Sequence, residues 1–196
     1  MSRSDVVRAE RTDLPALTAS LARAFVDDPV FNYLAPGGFD HGRAALAFRM
    51  LGLNMLEHGE VWRTAGAEAA AYWAPPGKWR VPWTSIARTL PITVRAYRWK
   101  IPRALLFLSR IEKIHPSQPH YYLEVLGTDP VAQGRGLGAS LLEPILARAD
   151  AEGVGAYLES SKDVNVPYYR RFGFEVVTEV RIPNGPTVWP MWRDPR

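Results

Sequence analysis

Between Leu126 and Leu137 the chain runs Gly127-Thr128-Asp129-Pro130-Val131-Ala132-Gln133-Gly134-Arg135-Gly136, and no other stretch limits its possible folds so strongly. Tyr121 to Leu126 reads as a strand. From Gly136 to Glu152, Leu137, Leu141, Leu142, Ile145 and Ala149 recur along one face of a helix. A glycine-rich loop from strand to helix presents unobstructed backbone N–H groups at the helix N-terminus, where the partial positive charge favours an anion. Gly134, Gly136 and Gly138 let the chain turn and let a pyrophosphate come close to the backbone.

The remaining elements follow from the same patterns. Val6 to Ala9 is a short strand. Asp13-Leu14-Pro15 caps a helix carrying Leu14, Leu17, Leu21 and Phe25, which Asp27-Asp28-Pro29 ends. A second helix runs from Gly42 to Leu56 and breaks at Gly59. Val61 to Thr64 and Ala69 to Ala74 form a hairpin, closed by Pro75-Pro76-Gly77. Gly155 to Glu159 is a strand, and Val164 to Phe172 a short helix with Pro167 near its start. Phe174 to Arg181 and Thr187 to Trp192 are strands joined through Pro183-Asn184-Gly185-Pro186. The order β-α-α-β-β, insertion, β-α-β-α-β-β predicts an α/β (α+β) fold, a mixed sheet with helices on its faces. One domain is expected over residues 1–196, with a helical insertion over about 78–114 that Pro82, Pro91 and Pro102 interrupt.

Composition removes several kinds of chemistry. A chain of 196 residues with 47% hydrophobic and 22% charged residues has ordinary globular usage and enough length for a full core. It contains no cysteine, which excludes disulfides, thiolate metal sites, iron–sulfur clusters and a covalent thioester on the protein. The longest apolar runs, such as Ala104 to Leu108, fall far short of the roughly 20 residues of a membrane span. Met1-Ser2-Arg3-Ser4-Asp5 leads into no apolar core of a signal peptide, so a cytoplasmic location is expected.

The net charge is only +4, yet Lys78 to Lys113 holds nine basic residues and one acid, Glu112. Trp79, Trp83 and Trp99 lie in the same stretch. Basic residues with aromatics suit single-stranded nucleic acid or a membrane surface. Without a regular stripe or a known module, the reading is an amphipathic insertion with solvated charges. Neither a membrane nor nucleic acid is expected as partner.

The glycine spacing also fits a dinucleotide fingerprint, through Gly134, Gly136 and Ala139 with Glu159 about twenty residues on. Three features oppose that reading. Thr128 to Ala132 separate the strand from the first glycine, only 37 residues follow Glu159, and the first half lacks βαβ alternation.

Gln133-x-x-Gly136-x-Gly138, preceded by Thr128-Asp129-Pro130 and followed by Tyr169-Arg170-Arg171-Phe172-Gly173-Phe174, resembles the GNAT (GCN5-related) N-acetyltransferases. The first motif is similar to their acyl-CoA pyrophosphate loop. The second is similar to the helix that ends in a Tyr-x-x-x-Gly-Phe turn, about 31 residues after Gly138. His120-Tyr121-Tyr122-Leu123 and Asn165-Val166-Pro167-Tyr168-Tyr169 are most similar to the puromycin N-acetyltransferase-like branch. The resemblance implies a mixed, mostly antiparallel central sheet flanked by helices, acetyl-CoA as acyl donor, and no metal. It covers most of the chain except the Trp/Arg insertion.

By that resemblance the backbone of Gln133, Gly134, Arg135, Gly136, Leu137, Gly138 and Ala139 holds the pyrophosphate, and Arg135 adds charge to a phosphate. Leu126, Gly127 and Thr128 pair with the pantetheine arm as an added strand does. Gly127 within a strand is read as a bulge that splays the sheet. Without cysteine, transfer is direct within a ternary complex, so the amine must lose a proton and the CoA thiolate must gain one. Tyr169 matches the family's tyrosine acid, and Tyr168 competes with it. Asn165 contacts the pantetheine or caps the helix. Glu124, on the strand face shared with Tyr122 and Leu126, is the expected base, with Glu159 second. His41, His58, His115 and His120 have no metal-ligand spacing, and only His120 lies near the site strand.

The acceptor, a small-molecule amine, is expected between the first two helices and the insertion. Phe31, Tyr33, Trp79 and Trp83 are its candidate walls, and Asp27 and Asp28 its candidate anions. Aromatic walls suit a flat or apolar amine better than a highly charged sugar. A monomer or homodimer is expected. A non-catalytic acyl-CoA sensor and a nucleic-acid-associated protein are the alternatives.

Overall fold

The computed structural model describes residues 6–196. Met1 to Asp5, the segment weighed above against a signal peptide, lies outside the described residues. The strands are β1 (Val6–Arg8), β2 (Glu60–Thr64), β3 (Ala69–Ala74), β4 (His120–Thr128), β5 (Gly155–Ser160), β6 (Glu175–Val176), β7 (Val180–Arg181) and β8 (Thr187–Arg193). They form one sheet in the order β1-β2-β3-β4-β5-β8-β6, with β7 also pairing β8. Only β4 and β5 run parallel. The mixed sheet expected from the element order, mostly antiparallel as the resemblance implied, is therefore what this chain adopts.

Every residue of β3 is buried, because helices cover both faces of the strand. Ala69, Ala71 and Trp73 pack with Leu137, Leu141, Leu142 and Ile145 of α6 (Leu137–Ala151). Ala70, Tyr72 and Ala74 pack instead with Leu17 and Leu21 of α1 (Leu14–Ala24) and with Phe48 and Met55 of α3 (His41–His58). Alternation along the strand thus divides the core into two clusters.

Several boundaries differ from the sequence reading, each for a local reason. Asp13 does not cap α1. Its carboxylate accepts from the Glu10 amide at 2.8 Å and closes a 3-10 turn over Arg11–Asp13 in front of the helix. Asp28-Pro29 starts an additional short helix, α2 (Pro29–Leu34), with Asp28 accepting from the Phe31 amide at 2.8 Å. The segment read as one strand from Phe174 to Arg181 is two short strands, β6 and β7. The helix read from Val164 begins as a 3-10 turn over Asp163–Asn165 and continues as α7 (Val166–Arg170). In the insertion Pro91 lies inside α4 (Trp83–Tyr97), and the break before α5 (Ile101–Ile114) falls at Arg98, where φ is 48°.

The feature that positions the site is the parting of β4 and β5. Their parallel pairing ends at Leu123 opposite Leu158. Beyond that point β4 pairs only with β3, and Glu159 and Ser160 pair with β8. The bulge in β4 is at Glu124, not at Gly127: Trp73 pairs with Leu123 and Tyr72 with Val125, which leaves Glu124 as the extra residue. Gly127 lies in regular register opposite Ala70. It is a glycine because α1 crosses there; a Cβ would stand 2.6 Å from Leu21 Cδ2 and 2.9 Å from Phe25 Cε2. The bulge also reverses the strand's faces. Tyr122 packs with the α1/α3 cluster and Leu126 with the α6 cluster, so Glu124 does not share one face with both, as the simple alternation predicted.

Candidate active site

The parted strands open a cleft of about 760 Å³. It is lined by Leu126, Gly127 and Thr128 of β4, by residues of the loop from Gln133 to Ala139, and by Asn165, Tyr168 and Tyr169. Glu124 and Glu159 lie where the strands separate.

The loop is held from beneath. Asp129 caps a 3-10 turn over Pro130–Ala132, and its amide donates to the Glu68 carbonyl at 2.7 Å. Arg23 Nε, from α1, donates to the Asp129 carboxylate at 2.8 Å and holds its carboxyl below the usual range. Gln133 Nε2 donates to the Thr128 carbonyl at 3.3 Å. Gly134 and Gly136 have φ of 75° and 77°, the left-handed region, with open space where a Cβ would be. Gly136 precedes α6 without a capping side chain, so the amides of Leu137, Gly138 and Ala139 have no helical acceptor. The loop thus leaves bare amides at the start of α6.

Arg135 departs from expectation. It is exposed and absent from the cleft walls, and its charge acts on Glu68, whose carboxyl lies below its ordinary value chiefly through hydrogen bonds.

The two tyrosines of α7 divide the cleft. A Cβ on Gly138 would come within 2.6 Å of the Tyr168 hydroxyl, which places that hydroxyl over the first turn of α6. The hydroxyl is shielded from solvent and has no hydrogen-bond partner, and burial pushes its pKa up to about 12. Tyr169 is raised well above the ordinary value, first by burial, then by Tyr168 and the Asp28 carboxylate. Tyr169 and Asp28 both line the cleft. Asn165 occupies the N-cap position of α7 yet makes no capping bond with its side chain.

Glu124 Oε2 and Glu159 Oε1 are both shielded and without hydrogen-bond partners. Burial, and then the Glu159 charge, lift the Glu124 carboxyl to about 8. On the far side of Glu159 stands a residue that the sequence reading passed over. His115, at the end of α5, has a ring only 2% exposed, with Nδ1 3.6 Å from Glu159 Oε1. Trp79, one of the candidate walls, stacks on it at 3.8 Å but does not line the cleft. Nothing in the spacing marks His115; a long insertion brings it to the site.

The other acceptor candidates are dispersed. Phe31 stacks on Phe48 at 4.6 Å, and the Tyr33 hydroxyl reaches the Pro183 carbonyl at 3.4 Å. Trp83 is 77% exposed. Asp27 pairs with Lys162, while the buried Asp28 accepts from the Ser161 hydroxyl and lines the cleft.

Residues 111–194, from the last turn of α5 through β8, match the family model described as an acetyltransferase (GNAT) domain. This segment is a GNAT acetyltransferase domain. An uncharacterised N-acetyltransferase of Schizosaccharomyces pombe is 29% identical over 191 residues, covering 85% of this chain and 72% of that protein. Two solved structures share the fold. A protein of Corynebacterium glutamicum described as histone acetyltransferase HPA2 and related acetyltransferase has a TM-score of 0.72 at 24% identity, covering 97% of this chain and 96% of that one. The polyamine N-acetyltransferase of Drosophila melanogaster has a TM-score of 0.65 at 16% identity, covering 97% and 100%. The GNAT domain and the similarity to an N-acetyltransferase support an acetyl-CoA-dependent N-acetyltransferase. The cradle fits that donor: bare amides and Cβ-free turns at one end of the cleft, an unpartnered hydroxyl beside them, and unpaired carboxylate oxygens at the other end. Among the described residues no helix is long and apolar enough to cross a membrane.

Proposed function

We propose that this protein transfers the acetyl group of acetyl-CoA directly to the primary amine of a small molecule, within a ternary complex. One observation carries the reading. A single cleft holds the amide cradle, an unpaired strand edge, a half-buried tyrosine and a half-buried carboxyl.

The pyrophosphate rests on the backbone of Gly134, Gly136, Leu137, Gly138 and Ala139, with Gln133 bracing the turn. The pantetheine arm lies along the outer edge of Leu126, Gly127 and Thr128, whose inner edge is already bonded to β3. Asn165, free of a capping role, also lines the cleft and reaches the arm. The thioester then lies where the strands part, between Tyr169 and Glu124.

Attack by the amine nitrogen on the acetyl carbon breaks the C–S bond. Tyr169 protonates the departing thiolate; burial keeps it a neutral phenol at working pH. Glu124 takes the amine's proton, and its carboxyl near 8 suits exchange close to neutrality. The aromatic lining of the cleft, Phe25 and Phe172 beside the two tyrosines, favours a flat or apolar amine over a polycation.

The test is thiol release from acetyl-CoA with 2-phenylethylamine, 1,4-diaminobutane and an aminoglycoside. Fastest release with 2-phenylethylamine supports the reading. A preference for the aminoglycoside contradicts the acceptor class, and no release with any amine contradicts the activity.

A further inference from the structure

Behind Glu159 lies a buried chain of polar groups that the transfer steps leave unused. His120 Nδ1 is 2.7 Å from the Gln118 carbonyl, and His120 Nε2 is 3.0 Å from His115 Nε2. A carbonyl only accepts, so His120 Nδ1 carries the proton. Burial holds His120 below the ordinary histidine value, so its Nε2 is a bare lone pair. The bond between the rings then requires His115 Nε2 to donate. This leaves His115 Nδ1 as a lone pair 3.6 Å from Glu159 Oε1, a shielded oxygen with no hydrogen-bond partner. Two acceptors facing each other define a place for one proton.

The surroundings hold that arrangement. His120 and Tyr122 reach the His115 ring from β4, and Tyr157 and Glu159 from β5, with Glu124 beyond Glu159. Trp79 covers the remaining face. The Tyr122 and Tyr157 hydroxyls also face Glu159, but both are neutral and no lysine or arginine pairs with it among the described residues, so a proton shared with His115 is what offsets its charge.

We propose that His115, its tautomer fixed by His120, is a positioning residue that holds a proton against Glu159 and so leaves Glu124 free to take the amine's proton. The inference rests on the acetyl-transfer reading. A bare Glu159 carboxylate opposes ionisation of Glu124. With the gap protonated, Glu159 carries no net opposing charge and Glu124 ionises at lower pH. In turnover one proton passes from the amine nitrogen to Glu124 and leaves through the cleft, and the proton between Glu159 and His115 stays in place.

The experiment is the pH profile of kcat, with acetyl-CoA and the fastest amine of the panel above, for wild type, His115→Phe, Glu159→Gln and the double variant. In His115→Phe the ascending limb moves up by about one pH unit, roughly a tenfold loss on that limb, and the high-pH plateau is retained. In Glu159→Gln the limb stays near that of wild type, and adding His115→Phe does not shift it. His120→Gln, which keeps an acceptor for His115 Nε2, retains the wild-type limb, whereas His120→Phe does not. An unshifted limb in His115→Phe, or an undiminished effect of that change in Glu159→Gln, overturns the proposal. Should the phenylalanine variants fail to fold, 15N spectra of the wild-type histidines decide: a proton on His115 Nε2 supports the account, and a neutral ring protonated only at Nδ1 refutes it. Absence of thiol release by wild type with every amine overturns acetyl transfer itself, whereas an unshifted limb in an active enzyme removes only the role of His115.

Discussion

The Tyr168 hydroxyl and the α-carbon of Gly138 share one space, with 2.6 Å between that oxygen and the place a Cβ on Gly138 would take. The helix itself favours alanine there, by up to about 1 kcal/mol. Gly138→Ala therefore leaves the melting temperature near that of wild type, but displaces Tyr168 over the amide cradle. Its KM for acetyl-CoA should rise about tenfold or more, measured by thiol release; an unchanged KM removes the cradle from that position.

Gly127 has a different function, because α1 lies directly against it. A methyl group there meets Leu21 and Phe25 within 3 Å. Overpacking of this kind costs roughly 1–3 kcal/mol. Gly127→Ala should lower the melting temperature by several degrees, and a second change, Leu21→Val, should recover part of the loss. A stable Gly127→Ala single variant contradicts the packing.

The Glu124 carboxyl carries a pH signature in stability. Its folded value of about 8 exceeds the ordinary 4.5. The folded state thus holds a proton that the unfolded chain releases, and stability falls as pH rises from about 4.5 to 8. Glu124→Gln removes that dependence. Denaturant melts at pH 5 and pH 8.5 should show the variant gaining on wild type at the higher pH; parallel curves sink the assignment.

Tyr169 and Tyr168 are separable by substitution. Tyr169→Phe removes the proton donor, and loss of a general acid typically costs 10²- to 10⁴-fold. We expect kcat to fall by about 100-fold or more with calorimetric affinity for acetyl-CoA unchanged. Tyr168→Phe should alter KM more than kcat. The reverse pattern exchanges their roles.

Much of this arrangement is legible in the chain because local rules agree there. The strand–loop–helix around Gly134 and Gly136 is dictated by glycine conformation and helical spacing, and it folds as read. What the sequence conceals is set by pairing across the sheet. Gly127 draws the eye as a bulge, but the register against Tyr72 and Trp73 puts the extra residue at Glu124 and moves Leu126 to the other face. Asp28-Pro29 ends one helix and starts another, and composition cannot separate the two. The Arg23–Asp129 brace spans 106 residues, and no local pattern announces it. His115 is five residues from His120 but reaches Glu159 only through the packing of the insertion.

The central claim is that main-chain amides after Gly134 bind the donor's pyrophosphate, and calorimetric titration tests it most directly. Acetyl-CoA should give saturable heat at one molecule per chain. Gly136→Ala, forced to a φ of 77°, should bind about tenfold or more weakly. No heat with acetyl-CoA, or saturation by a nicotinamide dinucleotide instead, would contradict the account.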